Sequence, residues 1–259
     1  MLRALLGKHA VVTGGGTGIG AAIAQSLVEA GAKVTLMGRT FARLQAEVES
    51  LPGLGSSQAC VADVTDPESV SAAFSRARSS FGEIDILVNN AGAAKSAPFG
   101  RTDLVLWQEM IAVNLTGVFL CCREVLPAML KSSYGRVVNI ASTAGITGYA
   151  YTTAYCAAKH GVIGLSRSLA LETARSKVTV NAICPGYTET DMLRRTIENI
   201  CRKTGRSEAE AKAEIVKGYP QGRLVAPMEV ANAVLWLCLP GAESITGQSI
   251  AVAGGEVMK

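Results

Sequence analysis

Histidine is nearly missing from this chain: His9 and His160 are the two it has in 259 residues. That leaves almost no material for a histidine-based metal site or a Ser-His-Asp triad, and no metal is expected. Cysteine is present without order. The seven cysteines, at 60, 121, 122, 156, 184, 201 and 238, form an odd set with no C-x-x-C, so they read as small buried residues of a reducing compartment. Charge is sparse, at 18% of residues against 49% hydrophobic, which excludes disorder and requires an extensive core. The formal net charge is +4, but the basic residues are scattered, with one local cluster at Arg194, Arg195, Arg202, Lys203 and Arg206. A nucleic-acid protein would need a basic stripe or a recognised module. No segment is expected to reach the roughly 18 apolar residues of a membrane span. The basic stretch Met1–Lys8 runs into a strand without a cleavage site. Repeats, low-complexity tracts and linkers are absent too. Together these absences predict one soluble, cytoplasmic domain spanning 1–259.

What the chain does have is alternation. Short β-branched runs at 9–12, 33–37, 57–61, 84–88, 135–140, 178–183 and 249–252 are separated by helical patterns, the sign of βαβ units. The prediction is an α/β fold: a doubly wound, seven-stranded parallel sheet with helices on both faces. Asp66-Pro67-Glu68 should start a helix, with proline where its missing donor costs nothing. Long helices are expected over 104–130 and 151–174. Residues 187–218 break the alternation, being charge-rich and helical with no following strand. They read either as a small helical lid over a site at the sheet's carboxyl edge or as an ordinary surface helical pair.

Three features carry chemistry. The turn Thr13-Gly14-Gly15-Gly16-Thr17-Gly18-Ile19-Gly20 lies between a strand and a helix. Glycines there allow a tight turn and close approach to a pyrophosphate at the helix N-terminus, where free N–H groups and the dipole favour anions. Tyr155 and Lys159 stand four apart, which on a helix puts phenol and ammonium on one face. A free phenol titrates near about 10, and a neighbouring cation favours its ionised form, so Tyr155 is a candidate acid/base toward a carbonyl or alcohol oxygen. Ser142 lies shortly upstream. His160 and Cys156 flank this pair and read as structural, and Trp107 and Trp236 as core or interface residues.

These motifs resemble the short-chain dehydrogenase/reductase family. Thr13 to Gly20 matches its TGxxxGxG, and Asn89-Asn90-Ala91-Gly92 its NNAG. Asn114, Ser142, Tyr155 and Lys159 fall in order at its tetrad positions, and Pro185-Gly186 with Thr190 matches the segment after the sixth strand. The resemblance runs from about Lys8 to Gly255 and implies a Rossmann fold. It also implies roles. Tyr155 would be the acid/base, and Lys159 would bind the nicotinamide ribose and help lower the tyrosine pKa. Ser142 would hold the substrate oxygen, and Asn114 would support a proton-relaying water, with a helix-capping or solvent-facing Asn as the alternative. Gly14, Gly16, Thr17, Gly18, Ile19 and Gly20 would cradle the pyrophosphate. Asp63 and Val64 would meet the adenine, unless Asp63 is only a turn former. Asn90, Ala91 and Gly92 would approach the ribose, unless Asn90 only ties strands together. Pro185, Gly186, Thr188 and Thr190 would meet the nicotinamide end, with capping as the alternative for the threonines.

Gly38 stands where an NAD-preferring site carries an acid, and Arg39 follows it. An arginine can pair with a 2′-phosphate, so NADP(H) is favoured and NAD(H) stays open; Arg39 as a surface charge is the alternative. Residues 93–99, 143–151 and the lid would line a mostly apolar pocket through Ala144, Ile146, Tyr149, Tyr187 and Met192. Asn181–Gly186 with Ala158–Val162 is similar to bacterial members acting on 3-oxoacyl thioesters, aromatic polyketides or hydroxybutyrate. The expected function is therefore NADPH-dependent reduction of a ketone, such as a coenzyme A or carrier-bound thioester whose phosphates the lid cations could receive, unless those cations are a solvated face. An NAD-dependent alcohol or hydroxyacid dehydrogenase and a non-catalytic nucleotide sensor are the alternatives. The family implies a homotetramer, with residues 104–130 and 151–174 pairing across one interface, the C-terminal residues 250–258 joining another, and Leu120 and Leu169 apolar for that reason.

Overall fold

The computed structural model describes residues 3–53 and 55–258; the ends of the predicted 1–259 range lie outside the described residues. Strands β1 (His9–Thr13), β2 (Lys33–Gly38), β3 (Ser57–Val61), β4 (Ile86–Asn89), β5 (Gly135–Ile140), β6 (Val178–Pro185) and β7 (Ser249–Val252) form one sheet in the order β3-β2-β1-β4-β5-β6-β7. Every pairing is parallel. A parallel sheet needs cover on both faces, which is why its strands read as unbroken apolar runs. Ala10 and Val12 point into one core with Ile86, Val88 and Val138; Val11 points into the other with Leu87 and Val137. Helices α1 (Gly18–Glu29) and α2 (Phe41–Ser50) cover the first face. On the second lie α3 (Pro67–Phe81), α5 (Gly117–Met129) and α6 (Thr153–Thr173), the α4 helix (Leu104–Ile111) leading into α5. After β6 come α7 (Asp191–Thr204) and α8 (Glu208–Val216), and then α9 (Pro227–Cys238), which joins α1 on the first face. Asp66 caps α3 by accepting from Glu68 N at 3.0 Å.

Several expectations change. Strand β4 begins at 86, not 84: Ile84 is buried, and Asp85 bonds through its backbone to His9 O and Arg136 N, each at 2.9 Å, while its carboxylate holds Lys8 at 3.1 Å and His9 N. Strand β6 runs on to Pro185 because β7 pairs with it there. The helix expected over 104–130 is broken by a π turn at Ala112–Thr116. One extra residue in the turn swings Asn114 inward, where the fully buried amide must find partners. The stretch Leu104–Met129 is also apolar and long enough by composition to cross a membrane, with a hydropathy of 1.6 in its most apolar window, against the expectation that none is. Its inward residues Val118, Cys121, Cys122, Val125 and Met129 fill the sheet-facing core. Leu120 is buried there as well, so the monomer core alone accounts for it. Trp107 and Trp236 are 37% and 49% exposed, so neither is a core residue. All seven cysteines are free, and five are buried.

The crossover from β3 to β4 returns the chain to the other side of β1. The connections leaving β1 and β4 therefore diverge to opposite faces, opening a crevice at the carboxyl ends of the strands, where α/β sheets bind ligands.

Candidate active site

The crevice begins at the glycine turn. Gly14 adopts φ +64°, and a Cβ on Gly20 would lie 2.2 Å from Gly14 O, so the turn can close only without side chains. Thr13 is its hub, accepting through Oγ1 from Asn90 N and Ala91 N, each at 3.0 Å. Asn90 Nδ2 donates to Thr13 O at 3.0 Å and Gly14 O at 3.1 Å. Asn90 thus ties β1 to β4, the structural alternative raised for it, while Ala91 and Gly92 bring backbone to the crevice. Helix α1 starts here with no side chain capping it and no acid in its first turn. Its first turn borders, through Gly18 and Ala21, a cleft of about 670 Å³ also lined by Gly16, Thr17, Thr190, Asp191 and Arg194. An uncapped N-terminus against a cavity is what a pyrophosphate requires. Ile19 packs against the core on the α1 face.

At the end of β2 a Cβ on Gly38 would meet only Leu44 side-chain atoms, at 3.4 Å or beyond, so the position has room. Arg39 is exposed and makes no hydrogen bond or ion pair among the described residues. Asp63 accepts from Thr65 N at 2.9 Å and Thr65 Oγ1 at 2.7 Å. These bonds hold its carboxyl below the usual range, with the Arg39 charge adding to them. Asp63 therefore forms a turn, and Val64 is buried against Gly117. Arg43, not singled out from sequence, lies in the first turn of α2 with its backbone beside Gly16; its spacing four residues from Arg39 was the available signal.

The tetrad residues converge on the ends of β4 and β5. Asn114 donates to Ala93 O at 2.9 Å and Met110 O at 3.0 Å, and accepts from Ala93 N at 3.2 Å. It is wholly buried, so the helix-capping and solvent-facing alternatives fail. Ser142 follows β5, its Oγ accepting from Ala144 N at 3.1 Å and lying beside the Tyr155 phenol. Tyr155 and Lys159 share α6, with the ammonium 5.7 Å from the ring centroid. Lys159 is 4% exposed and donates to Ile140 O at 2.8 Å. Burial pushes the phenol up to about 12, against the Ser142 hydrogen bond. Burial also lowers Lys159 to about 8. The spacing alone suggests that the lysine favours an ionised phenol; here its ammonium is turned to the Ile140 carbonyl and burial holds the phenol above its ordinary value, while the lowering that the resemblance implies belongs to Lys159 together with the charge of an oxidised nicotinamide ring.

The far wall is built from three segments. Tyr149 OH donates its one proton to Glu256 Oε1 at 2.5 Å and accepts from Thr143 Oγ1 at 2.9 Å. Tyr219 OH accepts from Tyr187 N and lies against the Glu256 carboxylate. Pro185 ends β6, and Gly186 packs on Tyr219. Thr188 donates to Gly186 O at 3.0 Å and caps no helix, while Thr190 caps α7 by accepting from Leu193 N at 3.5 Å; Thr190 thus makes the capping bond raised as the alternative, and in addition packs against Gly18 and borders the cleft. Cations of residues 187–218 are partly spent: Arg194 pairs with Asp191 at 3.1 Å and Lys212 with Glu189 at 3.3 Å. His160 is exposed, its ring against Cys156 O at 2.9 Å.

Residues 8–200 match the family model of the short chain dehydrogenases. The chain belongs to the short-chain dehydrogenase family. A Streptomyces violaceoruber protein named as a ketoacyl reductase of the granaticin polyketide synthase is 42% identical over 95% of this chain and 92% of its own length. D-beta-hydroxybutyrate dehydrogenase of Rhizobium meliloti is 37% identical, covering 96% and 98%. The 3-oxoacyl-(acyl-carrier-protein) reductase of Escherichia coli is 39% identical, covering 97% and 98%. Among solved structures, a variant of actinorhodin polyketide ketoreductase with NADPH superposes at a TM-score of 0.93, with 37% identity and 99% of each chain covered.

Family membership does not change the cost of burying Lys159. Because its folded pKa is about 8 against 10.5, the folded protein binds fewer protons than the unfolded chain between those values, so stability rises with pH there. Lys159→Met should therefore melt higher than the wild type at pH 7, with the gap closing as pH rises from about 8 to 10.5. Melting midpoints of both proteins across that range test this; a pH-independent gap contradicts it.

Proposed function

We propose that this chain is an NADP(H)-dependent oxidoreductase that reduces a ketone to a secondary alcohol, with a 3-oxoacyl thioester or related ketone as substrate. It works as one domain over 1–259 whose residues 187–218 cover the substrate, in a soluble, cytoplasmic homotetramer. The observation that carries the reading is the convergence of Ser142, Tyr155 and Lys159 at the strand ends beside an uncapped glycine turn.

The residues fit the cofactor. Gly14, Gly16, Thr17, Gly18, Ile19 and Gly20 would take the pyrophosphate, Asp63, Val64, Asn90, Ala91 and Gly92 the adenosine, and Lys159, Pro185, Gly186, Thr188 and Thr190 the nicotinamide half. Arg39, without a protein partner, would take the 2′-phosphate, and Gly38 presents no carboxylate to repel it. When bound, the reduced nicotinamide supplies hydride to the carbonyl carbon. The carbonyl oxygen then needs a proton, and the chain holds one ready: burial keeps Tyr155 protonated far above neutral pH, as a general acid for reduction requires. Ser142 gives its acceptor site to Ala144 N, which leaves its own proton for the same oxygen. Asn114 fixes the Ala93 backbone next to Gly92 and Lys159. Relatives named for ketoacyl and 3-oxoacyl reduction support the ketone, and the NADPH complex of the structural neighbour supports the cofactor. Exposed Val105, Phe119 and Leu171 support assembly.

NADPH oxidation followed by absorbance with a panel of activated ketones tests the activity. Tyr155→Phe should lose all but a few per cent of kcat while still binding NADPH, because only the proton is removed; retention of turnover would remove the tyrosine from the role of acid. Arg39→Ala should weaken NADPH roughly ten- to hundredfold, the worth of a charge-assisted pair, and leave NADH nearly untouched; equal losses with both cofactors would rule out phosphate reading. Light scattering at micromolar concentration should report a tetramer, and a monomer there refutes the assembly.

A further inference from the structure

The far wall of the substrate side carries a carboxylate that the reaction does not use. After β7, Gly254 at φ +55° and Gly255 at φ +88° turn the chain back on itself, in the left-handed region that glycine adopts freely. Glu256 N then bonds Ala253 O at 3.0 Å. The carboxylate lands between two segments that flank the tetrad. It takes Tyr149 OH at 2.5 Å, and Tyr149 in turn bonds Thr143, the neighbour of Ser142. On the other side, a Cβ on Gly186 would lie 3.0 Å from Glu256 Oε2.

Its charge is not neutralised. Among the described residues Glu256 has no cation within ion-pair distance. The wall segments offer little else. Residues 143–151 hold no charge, Lys95 is committed to Glu109 at 2.6 Å, and Glu189 to Lys212. Lys159 is turned to Ile140 O. The field of Glu256 reaches Tyr149, Tyr187 and Tyr219: burial raises all three phenols, and the carboxylate adds to it in each. Tyr187 in turn neighbours Tyr155. In a half-buried site a lone charge is poorly screened and acts over several ångströms.

We propose that Glu256 determines substrate charge: it excludes 3-oxo compounds that carry a free carboxylate and reserves the pocket for uncharged 3-oxo thioesters and esters. This rests on the ketoreductase reading and deepens it, since selectivity arises from a repulsive element built against the competitor. A free 3-oxo acid would bring a second carboxylate into a wall with no cation to receive it, whereas the thioester or ester of the same acid brings none.

Acetoacetate and methyl acetoacetate differ in that one charge. The test is kcat/KM for both with NADPH, in the wild type and in Glu256→Gln, Glu256→Ala and Glu256→Asp. The wild type should prefer the ester. Gln and Ala should each narrow the ester-to-acid ratio by at least about tenfold, while Asp, keeping the charge, should hold it within about threefold. A wild type that reduces neither compound with NADPH or NADH brings down the ketoreductase reading itself. A wild type with equal or reversed preference overturns only this inference. So does an unchanged ratio in the uncharged variants, or an Asp variant that loses discrimination as far as Gln, which would make the role one of fit.

Discussion

Asn90 reaches from the end of β4 across to the end of β1 and donates from one amide to two consecutive carbonyls, Thr13 O and Gly14 O. Thr13 answers by accepting from the two amides that follow β4. These strands are neighbours in the sheet but far apart in sequence, and the switch in winding direction falls between them. The β1–β4 ladder brings the two strand ends together, and this reciprocal clasp fixes the glycine turn beyond it against the segment that leads to Ala93 and Asn114. The uncapped start of α1 and the tetrad are thereby two sides of one crevice, not separate features. Gly14 and Gly20 belong to the same constraint, because the turn sits so close to Asn90 that a Cβ at either position would strike its amide.

Burial sets the chemistry of the tetrad. In water, a phenol and an ammonium four residues apart would favour ionisation of the phenol. Here the lysine is buried and the tyrosine half-buried, and desolvation pushes both toward their neutral forms. A neutral phenol is a proton donor, so the protein's own groups prepare the site for reduction. The Ile140 carbonyl keeps the lysine placed while costing it part of its reach toward the tyrosine.

Much of the architecture was legible because buried parallel strands leave an unmistakable apolar rhythm and glycines mark the turns that need them. The strand order and both helical layers follow the expected winding, and Ser142, Tyr155 and Lys159 meet where their order in the sequence placed them. What escaped the sequence was of two kinds. Hydrogen bonding across distant segments, as from Tyr149 to Glu256 or from Asn90 to Thr13, has no local signature. Local geometry around one polar side chain was equally hidden: a helical apolar pattern over 104–130 gives no sign of the π turn that brings Asn114 inward. Spacing likewise makes a phenol and an ammonium neighbours without showing that the ammonium turns to the Ile140 carbonyl.

That π turn at Ala112–Thr116 also acts as a phase shifter. Each residue of an ordinary helix advances the side-chain direction by about 100°, and the extra residue accommodated in the π turn offsets α5 from the register that α4 alone would impose. The face that carries Phe119 outward and Cys122 inward is therefore set by the same insertion that turns Asn114 toward Ala93. The angular placement of an apolar surface and the anchoring of the crevice are one geometric decision, so neither can drift in sequence without carrying the other with it.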